Sequence, residues 1–249
     1  VYHSITFWTS GSTVSKIANT YDDFCLVPET IAAIAPPMTK RQTVDIPGGN
    51  GLLDLTDSLR KYPVYNNREG SITFHVLNDR RSISNITWPN LYSKIMNLLQ
   101  GRLVLATLDD DPGWYYKGRW DVSAWSPSND GTWPKVQFNY YLQPYKLSNQ
   151  QQTLTYTIPS SSSLSHLETV TRDKIGEGPV VAPTVTTTGQ NTTIKVTNSK
   201  TGYSYQKTYT SAGSFTDAAM VLYDYTGNGT AIYAQGTGSV TFKFNKRSL

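Results

Sequence analysis

The chain has 249 residues, enough for two small domains or one large all-β domain whose core needs no covalent help. Hydrophobic residues make up 38%, aromatics 12% and charged residues 16%, which excludes a disordered chain and fits β-sheets with polar faces. The formal net charge is +4 with no long basic run. The short pairs Lys40-Arg41, Arg60-Lys61, Arg80-Arg81 and Lys246-Arg247 read as solvated or interface charge, not as a phosphate-binding stripe.

In chain order, Tyr2 to Trp8 alternates as a strand and lacks the pattern of a signal peptide. The single cysteine, Cys25, sits in the apolar run Phe24 to Val27 and reads as a small buried hydrophobe. One cysteine permits no intrachain disulfide, which suits assembly in a reducing cytoplasm. Further strands are predicted at 41–46, 71–77, 103–108, 114–125 and 135–141, each rich in β-branched or aromatic residues and bounded by Gly, Pro, Asn or Asp. A helical turn is predicted at 54–59. One full helix is predicted where Leu91, Ile95, Leu98 and Leu99 fall on one face. Pro89 stands at its start, where a missing N–H costs nothing, and Gly101 just past its end, suited to a left-handed cap. Asp109-Asp110-Asp111-Pro112-Gly113 has the chemistry of a tight turn between two strands. No apolar stretch approaches the length of a membrane span.

The composition changes near residue 148. All six tryptophans precede it, and residues beyond 149 are Ser/Thr-rich and carry net +3 against +1 before. Two domains are therefore expected, 1–147 and 148–249. The second is read as nearly all β, with strands at 153–158, 180–185, 192–196, 203–209, 218–223, 230–233 and 239–244. Their regular spacing is that of a sandwich. Ser160 to Ser163 is read as a flexible loop. The last strand, Val240 to Phe244, either stays in the second domain or returns to the first.

Catalytic chemistry needs nucleophiles, bases or metal ligands at workable spacing. The three histidines, His3, His75 and His166, are far apart, and His3 and His75 fit structural positions in strands. No Gly-x-Ser-x-Gly elbow, phosphate loop or Cys/His cluster is present. Asp109 to Asp111 could face a hard cation, but the alternating ligands and closing Glu of a calcium loop are missing, and a polar turn is the better reading. Gly48-Gly49-Asn50-Gly51 lacks the Lys and long helix of a phosphate cradle and reads as a turn needing positive φ. No catalytic residue, cofactor or metal is expected, and a hydrolytic enzyme is the weakest of the readings. Carbohydrate binding stays open, because aromatics flank polar loops. Tyr203 and Tyr225 are the loop aromatics chosen for it, although aromatics on β-proteins serve subunit interfaces equally often.

Several stretches resemble one family. The run Val44-Asp45-Ile46-Pro47-Gly48-Gly49-Asn50-Gly51-Leu52-Leu53-Asp54-Leu55-Thr56, followed by Pro63-Val64-Tyr65-Asn66-Asn67-Arg68, resembles the distal tail proteins of long-tailed phages and prophages of Gram-positive bacteria. Asp110-Asp111-Pro112-Gly113-Trp114-Tyr115-Tyr116-Lys117-Gly118-Arg119 is similar to a hairpin of that family, and Pro144-Tyr145-Lys146 to the exit from its first domain. Asn19 to Pro28 looks like another stretch of that family, with Tyr21 and Phe24 in place of its usual tryptophans, and Gly236 to Phe244 looks like its closing strand. Residues 9–20 and 79–87 look like insertions. The resemblance implies a mainly β fold with a short helical component: an N-terminal ring-forming (belt) domain and a C-terminal galectin-like β-sandwich. It also implies a structural component of the phage tail tip or baseplate, present in the virion and assembled in the host cytoplasm. Such a protein forms a homo-hexameric ring that joins the tail tube protein to the tail-associated hub protein. DNA passes through the lumen without specific binding, and no membrane is involved. Receptor-binding proteins or host glycans are further partners of the outward domain. The alternative is a carbohydrate-binding host-adhesion module at the tail tip. The motif residues Asp45, Pro47, Gly48, Gly51, Asp54, Leu55, Thr56, Tyr65, Asn67, Arg68, Asp110, Pro112, Gly113, Tyr115, Tyr116 and Gly118 are expected to be structural or interfacial. A ring also favours the Tyr, Trp and Arg that the first part supplies. The near-neutral charge of that part suits a conduit that must not grip phosphates.

Overall fold

A computed structural model describes residues 2–11, 13–56, 63–77, 88–126 and 134–249. The fold is mainly β. In chain order the strands are β1 (Ile5–Thr9), β2 (Lys16–Asn19), β3 (Leu26–Pro28), β4 (Thr43–Asp45), β5 (Leu52–Asp54) and β6 (Arg68–Val76). Helix α1 (Trp88–Leu99) follows, then β7 (Leu103–Leu108), β8 (Trp114–Ser126), β9 (Lys135–Leu142), β10 (Lys146–Thr157) and β11 (Ser161–Val170). The short helix α2 (Arg172–Ile175) precedes β12 (Val180–Val181), β13 (Thr184–Thr187), β14 (Thr192–Asn198), β15 (Tyr203–Tyr209), β16 (Gly213–Thr216), β17 (Val221–Leu222), β18 (Thr230–Gly236) and β19 (Ser239–Ser248). The chain divides into two compact units, Val1–Thr39 with Tyr65–Lys146, and Lys40–Val64 with Leu147–Leu249.

In the first unit the strands lie in the order β2-β1-β7-β8-β9-β6-β3, every pair antiparallel. Alternation explains the core. Val136, Phe138, Tyr140 and Leu142 of β9 point inward, as do Tyr116, Trp120 and Val122 of β8. The sheet curls enough for Phe7 of β1 to lie 6.5 Å from Phe138, two strands beyond its neighbour. Trp120 is fully buried and meets Phe7 edge-on at 5.2 Å. Helix α1 closes this core with Leu91, Ile95 and Leu99, three of the four residues expected on its apolar face, while Leu98 packs partly buried against them. Gly101 ends it with φ 65°, and its N–H reaches the Trp120 carbonyl and the Asp121 carboxylate.

The second unit has a four-stranded sheet in the order β11-β18-β14-β15. A second layer runs β16-β13-β19-β10, and β12 pairs with β17. Both layers feed one core: Ile194, Val196, Ile232 and Ala234 from the first, Val185, Val240 and Phe242 from the second. That is the construction of a β-sandwich. The last strand stays in this unit, with Thr241 opposite Thr186.

Several local expectations need correction. Ser161 to Ser163 open strand β11 and are not a loop; they pair toward Gly236 through an irregular register. The strand expected at 180–185 is broken, because Ala182 adopts φ 53° ahead of Pro183 and splits it into β12 and β13. Residues 218–223 keep only Val221–Leu222 as strand, since Asp217 holds the preceding backbone in a turn. Asp54 closes a strand and does not begin a helical turn; the rest of that turn, from residue 57, lies outside the described residues, as do residues 79–87 and Trp133.

Candidate functional site

The motif residues fall into two groups, one in each unit. The first group forms the β4–β5 hairpin. Thr43 pairs with Asp54, Val44 with Leu53 and Asp45 with Leu52. Ile46-Pro47-Gly48-Gly49 makes the bend: the Gly49 N–H donates to the Ile46 carbonyl at 2.9 Å, and Gly48 takes φ 78°. Pro at the second place and Gly at the third are what a type II turn requires. Gly51 also has positive φ, at 82°. The base of the hairpin is tied by its own side chains. The Leu55 N–H donates to the Gln42 carbonyl, the Gln42 N–H to Thr56 Oγ1, and the Thr56 N–H to Asp54 Oδ1. These bonds from Thr56 hold the Asp54 carboxyl below its usual range.

The apolar residues of this hairpin are folded but uncovered. Leu52 is 62% exposed, Leu53 47%, Val44 46% and Ile46 45%. Val44 and Leu53 are direct cross-strand partners, so with Ile46 they form an apolar stripe on one face. Thr43, Asp45 and Asp54 lie on the other. A two-stranded ribbon of this kind is marginal by itself.

The second group gathers around Arg68 at the end of the first unit. Arg68 pairs with Leu142, which pairs on its other side with Gly118, so two motif residues flank one strand position. A side chain at Gly118 would collide with the Tyr141 carbonyl oxygen and the Leu142 backbone. Arg68 is only 5% exposed. Its Nε donates to the Pro144 carbonyl at 2.8 Å and Nη1 to the Ala35 carbonyl at 3.1 Å, while Nη2 is buried without a hydrogen-bond partner among the described residues. It lies 5.8 Å from the Tyr116 ring centre. Burial lowers its pKa, yet an arginine stays charged.

Tyr116 links this charge to an ion pair. Its hydroxyl donates to Asp111 Oδ2 at 3.0 Å, and the same oxygen accepts from Lys146 Nζ at 2.8 Å. Burial first, then the Asp111 charge, push the Tyr116 phenol up to about 12. Lys146 also lies 5.0 Å from the Trp114 ring centre, and Tyr65 meets Tyr145 edge-on at 5.9 Å. Tyr115 meets Trp8 edge-on at 6.4 Å, and Asn67 is half-buried beside Arg68.

The acidic turn works as three separate anchors. Asp109 accepts from the Ser4 backbone and hydroxyl at 2.9 and 2.8 Å. Asp110 meets His3 Nδ1 at 2.8 Å, and Asp111 takes Tyr116 and Lys146. Pro112 and Gly113 carry the chain round exposed. Asp111, Pro144 and Lys146, which lie within the motif stretches but not among the expected site residues, join this cluster through Tyr116, Arg68 and one another. The arrangement offers clamps and surfaces. Among the described residues no group of three His, Cys, Asp or Glu side chains could hold a metal, and no helix is long and apolar enough to cross a membrane. Tyr203, singled out above as a loop aromatic, is instead a structural brace: its hydroxyl donates to the Ala219 carbonyl and accepts from the Val221 N–H.

No family model and no curated protein matches this sequence. Among solved structures, the chain is similar to the crystal structure of SPP1 Dit, described there as a paradigm of the hub adsorption apparatus in phages infecting Gram-positive bacteria. The TM-score is 0.56 at 15% identity, with 98% of this chain and 99% of that one covered. The likeness is one of fold, and it spans both units: this chain has a Dit-like, β-rich fold.

Proposed function

We propose that this chain is a structural, non-catalytic component of a phage tail tip, a distal tail protein in the virion's adsorption apparatus. Six copies form a ring between the tail tube protein and the tail-associated hub protein, and DNA passes through the lumen. The observation that carries this reading is the likeness to SPP1 Dit over essentially the full length of both chains. The exposed hairpin supports it. Its sequence motif specifies a self-tied ribbon and leaves Val44, Ile46 and Leu53 for another surface to cover. Contacts that repeat head to tail close into a ring when their rotation divides a full turn.

Cryo-electron microscopy of purified tails tests this directly. Six-fold density at the tail tip that accommodates this chain is the expected result. A tail-tip reconstruction in which six-fold density for this chain is absent overturns the reading. Native mass spectrometry of the chain with its tube and hub partners gives a second measure, with a hexamer expected.

A further inference from the structure

The second unit holds a cavity where its β16-β13-β19-β10 layer is interrupted. Strand β13 pairs with β19 only as far as Thr184, opposite Lys243. Just before that point Ala182 takes φ 53° and Pro183 follows. The preceding residues therefore swing away as β12, which pairs with β17 instead. Strand β19 runs on and is next met by Gly176, at Arg247, whose carbonyl accepts from the Glu177 and Gly178 N–H groups at 2.7 and 3.2 Å. The break between these two attachments is a cavity of about 200 Å³. Its lining has two characters. Val180 and Phe244, both buried, form the inner wall with Pro183, while Val181 is 41% exposed at the edge. The polar side is Lys243, Asn245 and Arg247, alternate residues of β19 and so on one face of it, together with Gln151 of β10.

From this arrangement we propose that the cavity binds a carboxylate carried on a short apolar body, the carboxylate held by Lys243 and Arg247 and the apolar part set against Val181 and Pro183. Charge is the first argument. Two cationic side chains and two carboxamides line the cavity, and no Asp or Glu does. A guanidinium and an ammonium facing one space suit an anion, and the planar guanidinium suits a carboxylate in particular. The second argument is the remaining wall. It is hydrocarbon, which a bare inorganic anion leaves unused and an aliphatic acid covers. The third is size. The volume lies below the roughly 300–1,000 Å³ of pockets for larger ligands, so it admits one short branched chain and its carboxylate. The fourth is rigidity. The β13 ladder and the Gly176 bridge pin β19 on both sides of the gap, and the Asn245 carboxamide is fixed by donating to the Ser148 carbonyl at 2.8 Å. A site that is already formed loses little on binding. Two sources offer this chemistry: the C-terminal residue of another protein, when that residue is aliphatic, and a free short-chain acid.

The test is ligand-observed saturation-transfer NMR on the full chain, with N-acetyl-leucine as the probe. Saturable binding is expected, weakening as salt rises. N-acetyl-leucinamide, which lacks the charge, should bind about tenfold or more weakly, and inorganic phosphate, which lacks the apolar body, should displace the probe as poorly. Lys243→Gln should weaken binding about tenfold with the melting temperature unchanged, and Arg247→Gln likewise. Val181→Asp, which sets a negative charge at the edge of the cavity, should abolish binding. Lys200→Gln, an exposed lysine in the turn between β14 and β15, should change nothing. A peptide ending in Ala-Ala-Leu and the free acid isovalerate separate the sources. Tighter binding of the peptide assigns the site to the end of another protein, and binding of isovalerate at least as tight assigns it to a free acid; either result upholds the carboxylate. The proposal is overturned if N-acetyl-leucine does not bind saturably, if the amide or phosphate competes equally, or if Lys243→Gln and Val181→Asp leave binding intact. It concerns the second unit alone. A chain that forms hexamers and binds none of these probes fails only this proposal; one that binds them and forms no ring fails only the other.

Discussion

A buried arginine without a carboxylate partner is unusual, since buried charges are normally paired. Arg68 is tolerated because two backbone carbonyls and an aromatic face receive it. Replacing it by Met keeps the volume but leaves the Ala35 and Pro144 carbonyls without their donor. Arg68→Met should therefore lower stability by about 2–4 kcal/mol in urea unfolding. An unchanged midpoint would show that these bonds contribute nothing. Gly118→Ala tests the close approach of β8 to β9 and should cost about 3 kcal/mol by forcing the strands apart. Such residues are partly legible in sequence. The Asn-Arg and Asp-Pro-Gly motifs pick out Arg68, Asp110 and Gly118, but not their partners. The reason is distance along the chain: Asp109 answers Ser4, and Ala35 answers Tyr140, each across 105 positions. Local pattern has no access to such pairs.

Elements were readable where hydrophobic alternation is strong and hidden where it is weak. Strands β7 and β15 match the predicted spans, because Val104 to Leu108 and Tyr203 to Tyr209 are bounded by clear turn residues. Strand β11 was missed whole: its opening serine run was read as a loop and carries no apolar face, and pairing with β18 makes it a strand. Strand β15 is an edge, and an inward-pointing charge guards it: Lys207 reaches Asp217, which also accepts from Tyr205 and from the Ala219 N–H. The Lys207 hydrogen bond, followed by the Ala219 N–H, holds the Asp217 carboxyl down to about 2, against an ordinary 3.8. A lowered carboxyl stabilises the fold in its charged form. Its contribution is complete above the ordinary value and is lost as pH falls toward about 2. Asp217→Asn should thus melt below wild type at neutral pH and converge with it in strong acid; a constant gap across the acid range would refute this. For the β4–β5 hairpin, Leu53→Asp should alter monomer stability by no more than about 0.5 kcal/mol, because the side chain is half exposed. The same change should abolish ring formation in native mass spectrometry. Intact rings would remove the hairpin from the interface.

At the scale of the whole molecule, composition changes character once, near residue 148, whereas the two compact units are each discontinuous in sequence. Composition could not indicate that the segment Lys40–Val64 groups with residues far downstream. Contact between distant segments decides that grouping, and composition records only neighbours. Each unit has its own buried cluster, centred on Trp120 and Phe138 in one and on Ile194 and Phe242 in the other. Trp120→Ala and Phe242→Ala should each cost about 3–5 kcal/mol, measured by chemical denaturation. A loss near zero for either would mean that its core is not closed as described.

The place of β1 between β2 and β7 bears on how the molecule is made. The strand is synthesised well before one of its two neighbours, β7, with Ile5 opposite Leu108. Until β7 has left the ribosome, Ile5 and Phe7 lack half of their eventual surroundings and one row of hydrogen bonds. Loop closure over so long a span is slow, and an unpaired apolar strand is exposed to mispairing in the interval. Nascent chains stalled with Leu99 just emerged should leave β1 open to protease. Chains stalled beyond Leu142 should protect it. The acidic turn that follows β7, gripping His3 and Ser4, then serves as a latch that fastens β1 only after its partner has arrived.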